Sequence, residues 1–519
     1  VEVKKKWSVL ETLCFQGLWG FREYSCEEKG YEMNSGKSVN LCHMLWRILP
    51  FVGIAIWGVF CITDNLGYDE AYTAALISHP VGELVQITAQ DVHAPFYYIL
   101  LKGFSSLCDA VTFFAPEGSH FWQLKLFSLV FMTAYLLLGK YMVKRLFDEE
   151  TAVFFMLFSL LMPSMGVQAG NVRMYAMGLF FFTAAGLLAC DILRASTGKK
   201  WILFTICGIG SVYSHTFSMI QTFLLYLILL GALLWQKRYT LLGMYAGSGL
   251  LVSVCYMFWL RILYRQMQER IGSMSQALAP TIYTPIDYCT DWFSDPLAPS
   301  TLAVYLGIGL TVAVGYYAVG HMRRAGDYAA AWAMGIMGLT TVIGHLLSYR
   351  VASGFMGRYV FFGFGGLALW YALGMKEIRS RRARAAVGML FFLCFAVQYR
   401  SELQIEYDDG LEQYQAFYEE NIEPEDMILA SSIHSLYLNV YHPDRPYMVY
   451  GSLPAFSPFH NTTVFRQWEQ LADVEGDIWF FALDSLQAPD FSPHYQSECV
   501  LTFRYMTLDF RIYRLIPLR

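Results

Sequence analysis

The chain has 519 residues, a net charge of −5, 56% hydrophobic residues and only 15% charged residues. A soluble globular protein carries about 25% charged residues. Here the deficit falls in long apolar runs, so the composition indicates a membrane protein. The small net charge gives no basis for a nucleic-acid partner. Five of the eleven cysteines lie inside apolar runs and a sixth lies in an amphipathic one, so the set shows no disulfide framework.

Membrane spans of about 20 apolar residues can be placed at eleven positions along the chain. They are 45–63, 121–143, 151–168, 174–193, 201–214, 216–235, 240–260, 300–320, 328–349, 359–375 and 385–399. Residues 1–44 are mixed and charged, and they are expected to form a cytoplasmic lead. The segment 94–115 contains Lys102 and Asp109, so it is predicted to be amphipathic and to lie at the outer interface instead of crossing.

Five short loops between the predicted spans carry clusters of Lys and Arg. They are 144–145, 194–200, 237–238, 323–324 and 376–384. With the N-terminus inside, all five loops fall on the cytoplasmic side, as the positive-inside rule requires. The first outer loop, 64–120, and everything after about residue 400 are then expected outside.

Residues 401–519 form a different kind of sequence, polar and with short apolar runs. The runs include MILASSI at 427–433, DIWFFAL at 477–483 and FRIYRLI at 510–516. DIWFFAL is typical of a buried strand, and residues 411–421 are predicted to form a helix. The chain is therefore predicted to have a lead at 1–44, a transmembrane catalytic domain at 45–400 and a small extracytoplasmic α/β domain at 401–519.

Polar and aromatic residues that can take part in catalysis or binding lie at the outer ends of the predicted spans. They are Asp69, Glu70, Asp91, His93, Arg173, Tyr175, His215, Arg358 and Tyr359. Ionisable groups at membrane level are costly, so a functional site is the default interpretation. Sugar transfer from a lipid phosphate needs a base for the acceptor hydroxyl, which Asp69 or Glu70 can supply. It also needs cations for the leaving phosphate, and guanidinium groups match phosphate oxygens.

Structural interpretations of the same residues remain open. The Asp69-Glu70 pair can be a hydrated loop pair, and Arg173 can be a helix-end residue that extends its charge to the interface. His93 and His215 can each be a histidine that only caps or hydrogen-bonds a helix end.

The order of these motifs resembles that of glycosyltransferase family 39. The likeness rests on Asp69-Glu70 after the first span, DVHAPFYYILL at 91–101, RMY at 173–175, YSHTF at 213–217 and Arg358-Tyr359. The family includes protein O-mannosyltransferases and is similar to the lipid A aminoarabinose transferases, and all share the GT-C membrane fold. The resemblance covers roughly residues 45–400.

The resemblance implies that Asp69 is the catalytic base and that Glu70 is its partner in acceptor or metal binding. A divalent metal beside the two acids is compatible with it, but nothing in the sequence demands one. The family's His-Pro-Pro motif corresponds to His93-Ala94-Pro95, in which an alanine replaces the middle proline.

The resemblance also implies the substrates and the location. The expected donor is a hexose or pentose linked to polyprenyl phosphate, and the expected transfer inverts the sugar configuration. The acceptor stays open between lipid, polysaccharide and protein. The protein is expected to be a multi-pass protein of the cell membrane, with its site and its C-terminal domain on the extracytoplasmic face.

Two other functional classes remain as alternatives. A transporter or flippase for lipid-linked sugars usually places charges near the bilayer midplane and has repeated halves, neither of which the sequence shows. A non-catalytic envelope scaffold would place all of its activity in residues 401–519.

Overall fold

A computed structural model of the chain describes most of the sequence. The described residues are 36–91, 93–111, 121–270, 292–293, 297–349, 355–431, 434–450, 457–471, 474, 476–483, 491 and 494–518. Most of the expected cytoplasmic lead over 1–44 lies outside them.

Helices make up the described chain as far as residue 406. In chain order they are α1 (Gly36–Gly58), α2 (Tyr68–Ser78), α3 (Val81–Gln90), α4 (Phe96–Val111), α5 (Trp122–Leu146, with a π-helical stretch over Gly139–Val143), α6 (Glu149–Leu161), α7 (Pro163–Gly170), α8 (Tyr175–Arg194), α9 (Gly198–Ser214), α10 (Thr216–Trp235), α11 (Leu242–Arg270), α12 (Thr301–Ala325), α13 (Ala329–Ser348), α14 (Phe364–Glu377) and α15 (Arg381–Glu406). Each of the predicted spans falls on one of these helices or on the bent pair α6 and α7.

Fewer helices than the expected eleven meet the requirements of a membrane span by themselves. Among the described residues, eight helices are long and apolar enough to cross, or nine if α6 and α7 together make one span. The two remaining predicted spans correspond to α9, with 17 residues, and α14, with 14 residues. The 3-10 helix Gly357–Gly363 precedes α14 and takes up the start of its apolar run, and an apolar pattern does not show where the backbone changes geometry.

The bend between α6 and α7 leads the chain to the turn that contains Arg173. The two helices meet at an angle of 70°. Met162 between them has an extended backbone, which is the conformation that a following proline favours. Pro163 occupies the first position of α7, where its missing N–H costs no hydrogen bond. The helix α7 then ends at Gly170, directly before the turn that contains Arg173.

The five basic loops are joined to one another at one end of the helices. Arg145 and Lys200 both pair with Asp191, Arg194 pairs with Asp327, and Arg238 donates to the carbonyl of Leu193. In the same way Arg324 pairs with Glu377, Lys376 with Asp148 and Arg384 with Glu150. Together these contacts cluster the basic loops at one end, in agreement with the charge pattern of the sequence.

The predicted α/β domain is present after α15. Its elements are α16 (Gly410–Asn421), β1 (Met427–Ser431), α17 (His434–Tyr441), β2 (Tyr447–Tyr450), β3 (Thr462–Phe465), β4 (Ile478–Leu483), β5 (Tyr495–Tyr505) and β6 (Leu508–Pro517). The strands form one sheet in the order β3-β2-β1-β4-β6-β5, parallel from β3 to β4 and antiparallel from β4 to β5. All residues of β4 are buried, which explains the uninterrupted apolar run of DIWFFAL.

One hydrophobic core joins the sheet to the segment that follows α1. It contains Leu66, Leu76 and Tyr97 from the segment after α1, together with Tyr437 and Phe510 from the sheet domain. The helix α4 falls within the segment 94–115 that was predicted to be amphipathic. Its Lys102 Nζ donates to the carbonyl of Ile77 at 2.7 Å. The core is continuous between the sheet domain and residues 66–127, and Glu406 at the end of α15 bonds to Thr63 and Asn65. The domain boundary at residue 400 stays a prediction.

Gly170 allows the close approach of α7 to the end of the first span. A Cβ atom at position 170 would lie 2.3 Å from the carbonyl oxygen of Phe60. We therefore expect Gly170→Ala to lower the free energy of unfolding by about 1–3 kcal/mol, the usual cost of overpacking, measured by denaturation in detergent. Gly186→Ala is the matched control, because nothing lies within 4 Å of its added Cβ. Equal stability of the two variants would contradict this account.

Candidate functional site

The helix α2 begins with the acidic pair that the sequence indicated. Gly67 precedes the helix with an extended backbone, and Asp69 and Glu70 lie in its first turn. Acidic side chains in the first turn of a helix are stabilised by its free N–H groups. The two carboxylates nevertheless point to different neighbours, so they have different functions in the structure.

Glu70 is buried and links two separate turns of the backbone. Its Oε2 accepts the N–H of Gly67 at 2.7 Å, and its Oε1 accepts the N–H of Val172 at 2.7 Å. The first bond closes the start of α2, and the second fixes the turn that carries Arg173. Burial raises the pKa of Glu70 to about 7, with Glu406 acting in the same direction and Lys125 and the two N–H donors against it.

Asp69 is the accessible member of the pair, and it faces Arg358. Asp69 Oδ2 lies 3.1 Å from Arg358 Nη2, and the two side chains are 32% and 42% exposed. Arg358 comes from the 3-10 helix before α14, which is far away in the sequence. Its guanidinium also lies over the rings of Tyr175 and Tyr359, at 6.0 and 5.8 Å from their centroids.

Arg173 is buried beneath Asp69, with only 5% of its surface exposed. Its Nη1 donates to the carbonyl of Asp69, to Thr73 Oγ1 and to Tyr98 Oη, at 3.2 to 3.3 Å. Burial alone would lower the pKa of Arg173, but Tyr98, Asp69, Tyr175 and Asp91 raise it above its usual range. Arg173 is therefore a fixed positive charge that also holds the first turn of α2.

His215 stands at the centre of an aromatic cluster next to Arg358. Its ring lies 4.9 Å from His93, 5.9 Å from Tyr175 and 5.0 Å from Tyr359, between ring centroids. Its Nδ1 accepts the N–H of Phe217 at 3.1 Å and so caps α10, which places the imidazole proton on Nε2. Burial, with the charges of Arg173 and Arg358, lowers the pKa of His215 to about 3, so the ring is neutral. Among the described residues, Nε2 has no hydrogen-bond partner.

The structure thus brings the sequence-predicted residues to one end of the molecule. Contacts connect Asp69, Arg173, Arg358, Tyr175, Tyr359, His215 and His93. Asp91, at the end of α3, acts on this group through its charge on Arg173. Glu70 is the exception, because its carboxylate is turned inward.

A buried ion pair behind Glu70 was not singled out from the sequence. Lys125, in the second predicted span and fully buried, pairs with Glu406 at the end of α15. Thr63 joins them, donating to Glu406 Oε1 at 2.6 Å and accepting from Lys125 Nζ at 2.8 Å. A lysine inside an apolar span is the signal that was available, since such a charge is costly unless it has a partner.

The two acids as arranged do not make a pair of metal ligands. Both oxygens of Glu70 accept backbone N–H groups, so only Asp69 has its carboxylate toward the site. Over the ranges that the structure describes, no three His, Cys, Asp or Glu side chains are grouped to hold a metal ion. A divalent metal at this place stays a prediction, with Asp69 as its acidic ligand from this pair.

A cavity of about 480 Å³ opens beside Arg358. Its walls include the apolar side chains of Val167, Phe355 and Phe361, whereas Gln168 and Glu402 are polar members of the lining. A partly apolar groove with a cation at its edge can take a ligand with an anionic head and an apolar tail.

Solved structures of other proteins have a similar fold. ArnT from Cupriavidus metallidurans bound to undecaprenyl phosphate is 11% identical and superimposes with a TM-score of 0.61 over 92% of this chain and 98% of that one. The same enzyme in the apo state is 12% identical, with the same TM-score and coverage. The chain has the GT-C fold. This confirms the fold that the sequence resemblance implied.

The similarity to a third solved structure is lower. The oligosaccharyltransferase of Archaeoglobus fulgidus, in complex with Zn and sulfate, is 11% identical and has a TM-score of 0.44 over 77% of this chain and 62% of that one. No protein-family model matches the chain, and no curated protein sequence matches it either.

The raised pKa of Glu70 predicts a specific pH dependence of stability. The folded protein holds the Glu70 proton up to about pH 7, whereas the unfolded chain releases it near the ordinary pKa of 4.5. The stability that this proton binding adds is therefore complete below pH 4.5 and is lost as the pH rises to about 7. The stability difference between the unmodified chain and Glu70→Gln should therefore fall by up to about 1.4 kcal/mol per pH unit in this window, and stay level above it.

Unfolding at a series of pH values in detergent measures this difference. Glu412→Gln, which removes an exposed acid from α16, controls for the change in net charge. A stability difference that increases with pH would show that Glu70 is held ionised in the folded protein.

Proposed function

We propose that the protein is a membrane glycosyltransferase that moves a sugar from a polyprenyl-phosphate donor to an acceptor at the extracytoplasmic face. The observation that carries the proposal is the Asp69–Arg358 pair at 3.1 Å, partly exposed and beside the cavity. It provides a base and a phosphate ligand in one place. The GT-C fold shared with ArnT, which binds undecaprenyl phosphate in its crystal, supports the choice of donor.

Arg358 is proposed to hold the donor phosphate. An ion pair between groups this exposed contributes about 0–1 kcal/mol, so a phosphate can displace the Asp69 carboxylate from the guanidinium. The apolar walls of the cavity would take up the first part of the lipid chain. Displacement then frees Asp69 only when a donor is bound, which links the start of the reaction to donor binding.

Asp69 is proposed to act as the general base. It accepts the proton of the acceptor hydroxyl, and the acceptor oxygen attacks the anomeric carbon from the face opposite the phosphate. The bond between the anomeric carbon and the phosphate oxygen breaks, and polyprenyl phosphate leaves with one more negative charge. Attack from the opposite face inverts the configuration of the sugar. Arg358 and the buried charge of Arg173 stabilise the charge that develops on the phosphate.

The neutral His215 and its aromatic neighbours are proposed to contact the sugar. The Nε2 proton of His215 can donate to a sugar hydroxyl, because Nδ1 already accepts from Phe217. The rings of Tyr175, Tyr359 and His93 surround the ring of His215 and complete a polar and aromatic wall. In this scheme Glu70 does not touch the substrate and acts by positioning.

The extracytoplasmic orientation is part of the proposal. The basic loops meet at one end of the molecule, and positive charge favours the cytoplasmic side. The site residues lie at the helix ends that alternate with these loops along the chain, which supports an outer location for them and for the sheet domain.

Replacement of Asp69 tests the chemical step. We expect Asp69→Asn to lower sugar transfer by at least about 10²-fold, the usual contribution of a general base, without loss of folding. The measurement is mass spectrometry of cell-envelope glycans from cells that lack the gene and receive the unmodified or the variant form. Asp109→Asn removes an exposed acid of α4 in the same outer loop and is the matched control.

The outcomes separate the three functional classes. Full transfer by Asp69→Asn would remove the proposed mechanism. Movement of lipid-linked sugar across the membrane without any covalent product would favour a transporter. If residues 401–519 alone retained all activity, the protein would be a scaffold.

A further inference from the structure

Two tyrosine hydroxyl groups of the sheet domain bracket the backbone that leads into α2. Tyr505 lies at the end of β5, and its Oη accepts the N–H of Leu66 at 2.7 Å. Tyr441 lies at the end of α17, and its Oη donates to the carbonyl of Asp64 at 3.0 Å. The two hydroxyl oxygens are 3.0 Å apart. Because Tyr441 gives its only proton to Asp64, Tyr505 must donate to Tyr441, and the bonds run in one direction from Leu66 to Asp64.

The other residues of this segment, which we call the 63–67 segment, are held from the membrane side. Thr63 bonds to the Lys125–Glu406 pair, as described above. Asn65 Nδ2 donates to the carbonyl of Glu406 at 2.9 Å and to that of Asp408 at 3.1 Å. The N–H of Gly67 donates to Glu70. Every residue of the segment therefore has a hydrogen bond to a defined partner.

The surroundings leave the tyrosine side of the segment little freedom. Leu66 is fully buried, and the Tyr505 side chain is 3% exposed. The ring of Tyr437 lies edge-on to Tyr505 at 5.3 Å between centroids, and Phe121 lies edge-on to Tyr441 at 5.4 Å. Gly410 allows the start of α16 to approach the end of β5 closely, because a Cβ atom at position 410 would lie 2.1 Å from the carbonyl oxygen of Arg504.

We propose that Tyr505 and Tyr441 are positioning residues for Asp69, so that the sheet domain forms part of the catalytic unit. They do not touch the substrate. They act through the backbone of the 63–67 segment, which ends two residues before Asp69. The role of Asp69 as the base rests on the proposed function, whereas the fixing of the segment rests on the contacts alone.

The proposal explains why a membrane transferase needs the sheet beside its site. A base must stand within hydrogen-bond reach of the hydroxyl that it deprotonates, and a misplacement of about 1 Å can cost roughly 10²-fold in rate. The sheet domain supplies the hydrogen bonds to Asp64 and Leu66, whereas Lys125 and Glu406 supply those to Thr63.

Tyr505→Phe tests the proposal because it removes one hydroxyl and keeps the ring. In the purified full-length protein, the amide hydrogens of Leu66 and Gly67 should exchange with solvent about 2- to 10-fold faster, the effect of losing one hydrogen bond. Sugar transfer should fall by roughly 10- to 100-fold, while binding of undecaprenyl phosphate stays unchanged. Tyr441→Phe should behave alike. Tyr513→Phe is the matched control, since Tyr513 lies on β6 of the same sheet and its hydroxyl makes no hydrogen bond among the described residues.

The results distinguish this proposal from a merely structural role and from the proposed function. Unchanged exchange at Leu66 and Gly67 in Tyr505→Phe would overturn the proposal, and so would faster exchange with full transfer. Equal loss of transfer and of lipid binding would indicate general destabilisation and would also overturn it. If the unmodified chain makes no transfer product, the proposed function fails, whereas the exchange rates still decide whether the tyrosines fix the segment.

Discussion

The Glu70 carboxylate makes the interaction on which the arrangement of the site depends. Its two oxygens accept N–H groups from Gly67, three residues before it, and from Val172, 102 residues after it. The turn of Gly67 starts the helix of Asp69, and the turn of Val172 carries Arg173. A buried backbone N–H without a partner costs about 1–3 kcal/mol. This carboxylate satisfies two backbone N–H groups and at the same time fixes the first turn of α2 against the turn that carries Arg173.

The remaining polar contacts extend this junction to the other parts of the chain. Lys125 and Glu406 join the second predicted span to the last one, and Asn65 ties the same corner to the backbone after α15. Tyr505 and Tyr441 add the sheet domain. Buried polar networks are costly unless all members are satisfied, and here they surround the one backbone segment whose position determines where Asp69 stands. Asp69 and Arg358, by contrast, remain partly exposed and weakly paired, as a site that exchanges partners requires.

Much of this arrangement follows from the sequence because it depends on local patterns. Apolar length located the helices on which the predicted spans fall, although not α2 and α3, and the basic loops indicated which helix ends lie together. DIWFFAL predicted a buried strand, and it forms β4 in the middle of the sheet. The polar residues at the opposite helix ends, such as Arg173 and His215, do meet in one place. The likeness of Asp69-Glu70, His93 and RMY to a known family pointed to the fold that the structural comparison confirms.

Other features could not be predicted, because they depend on contacts between distant residues. Adjacent positions made Asp69 and Glu70 look like a functional pair, yet consecutive residues of a helix point in different directions, and only the fold shows Val172 beside Glu70. The shortness of α14 follows from a 3-10 helix within an apolar run. The hydroxyl bridge of Tyr441 and Tyr505 joins residues in a domain that shares no motif with the site.

A structure of the protein with undecaprenyl phosphate tests the central claim, that Asp69 and Arg358 form one site for a lipid phosphate. The account predicts that the phosphate contacts the Arg358 guanidinium, that the lipid chain enters the neighbouring cavity and that the Asp69 carboxylate is released toward the acceptor side, while Glu70 keeps both backbone bonds. A phosphate bound elsewhere, with the Asp69–Arg358 pair intact, would contradict it.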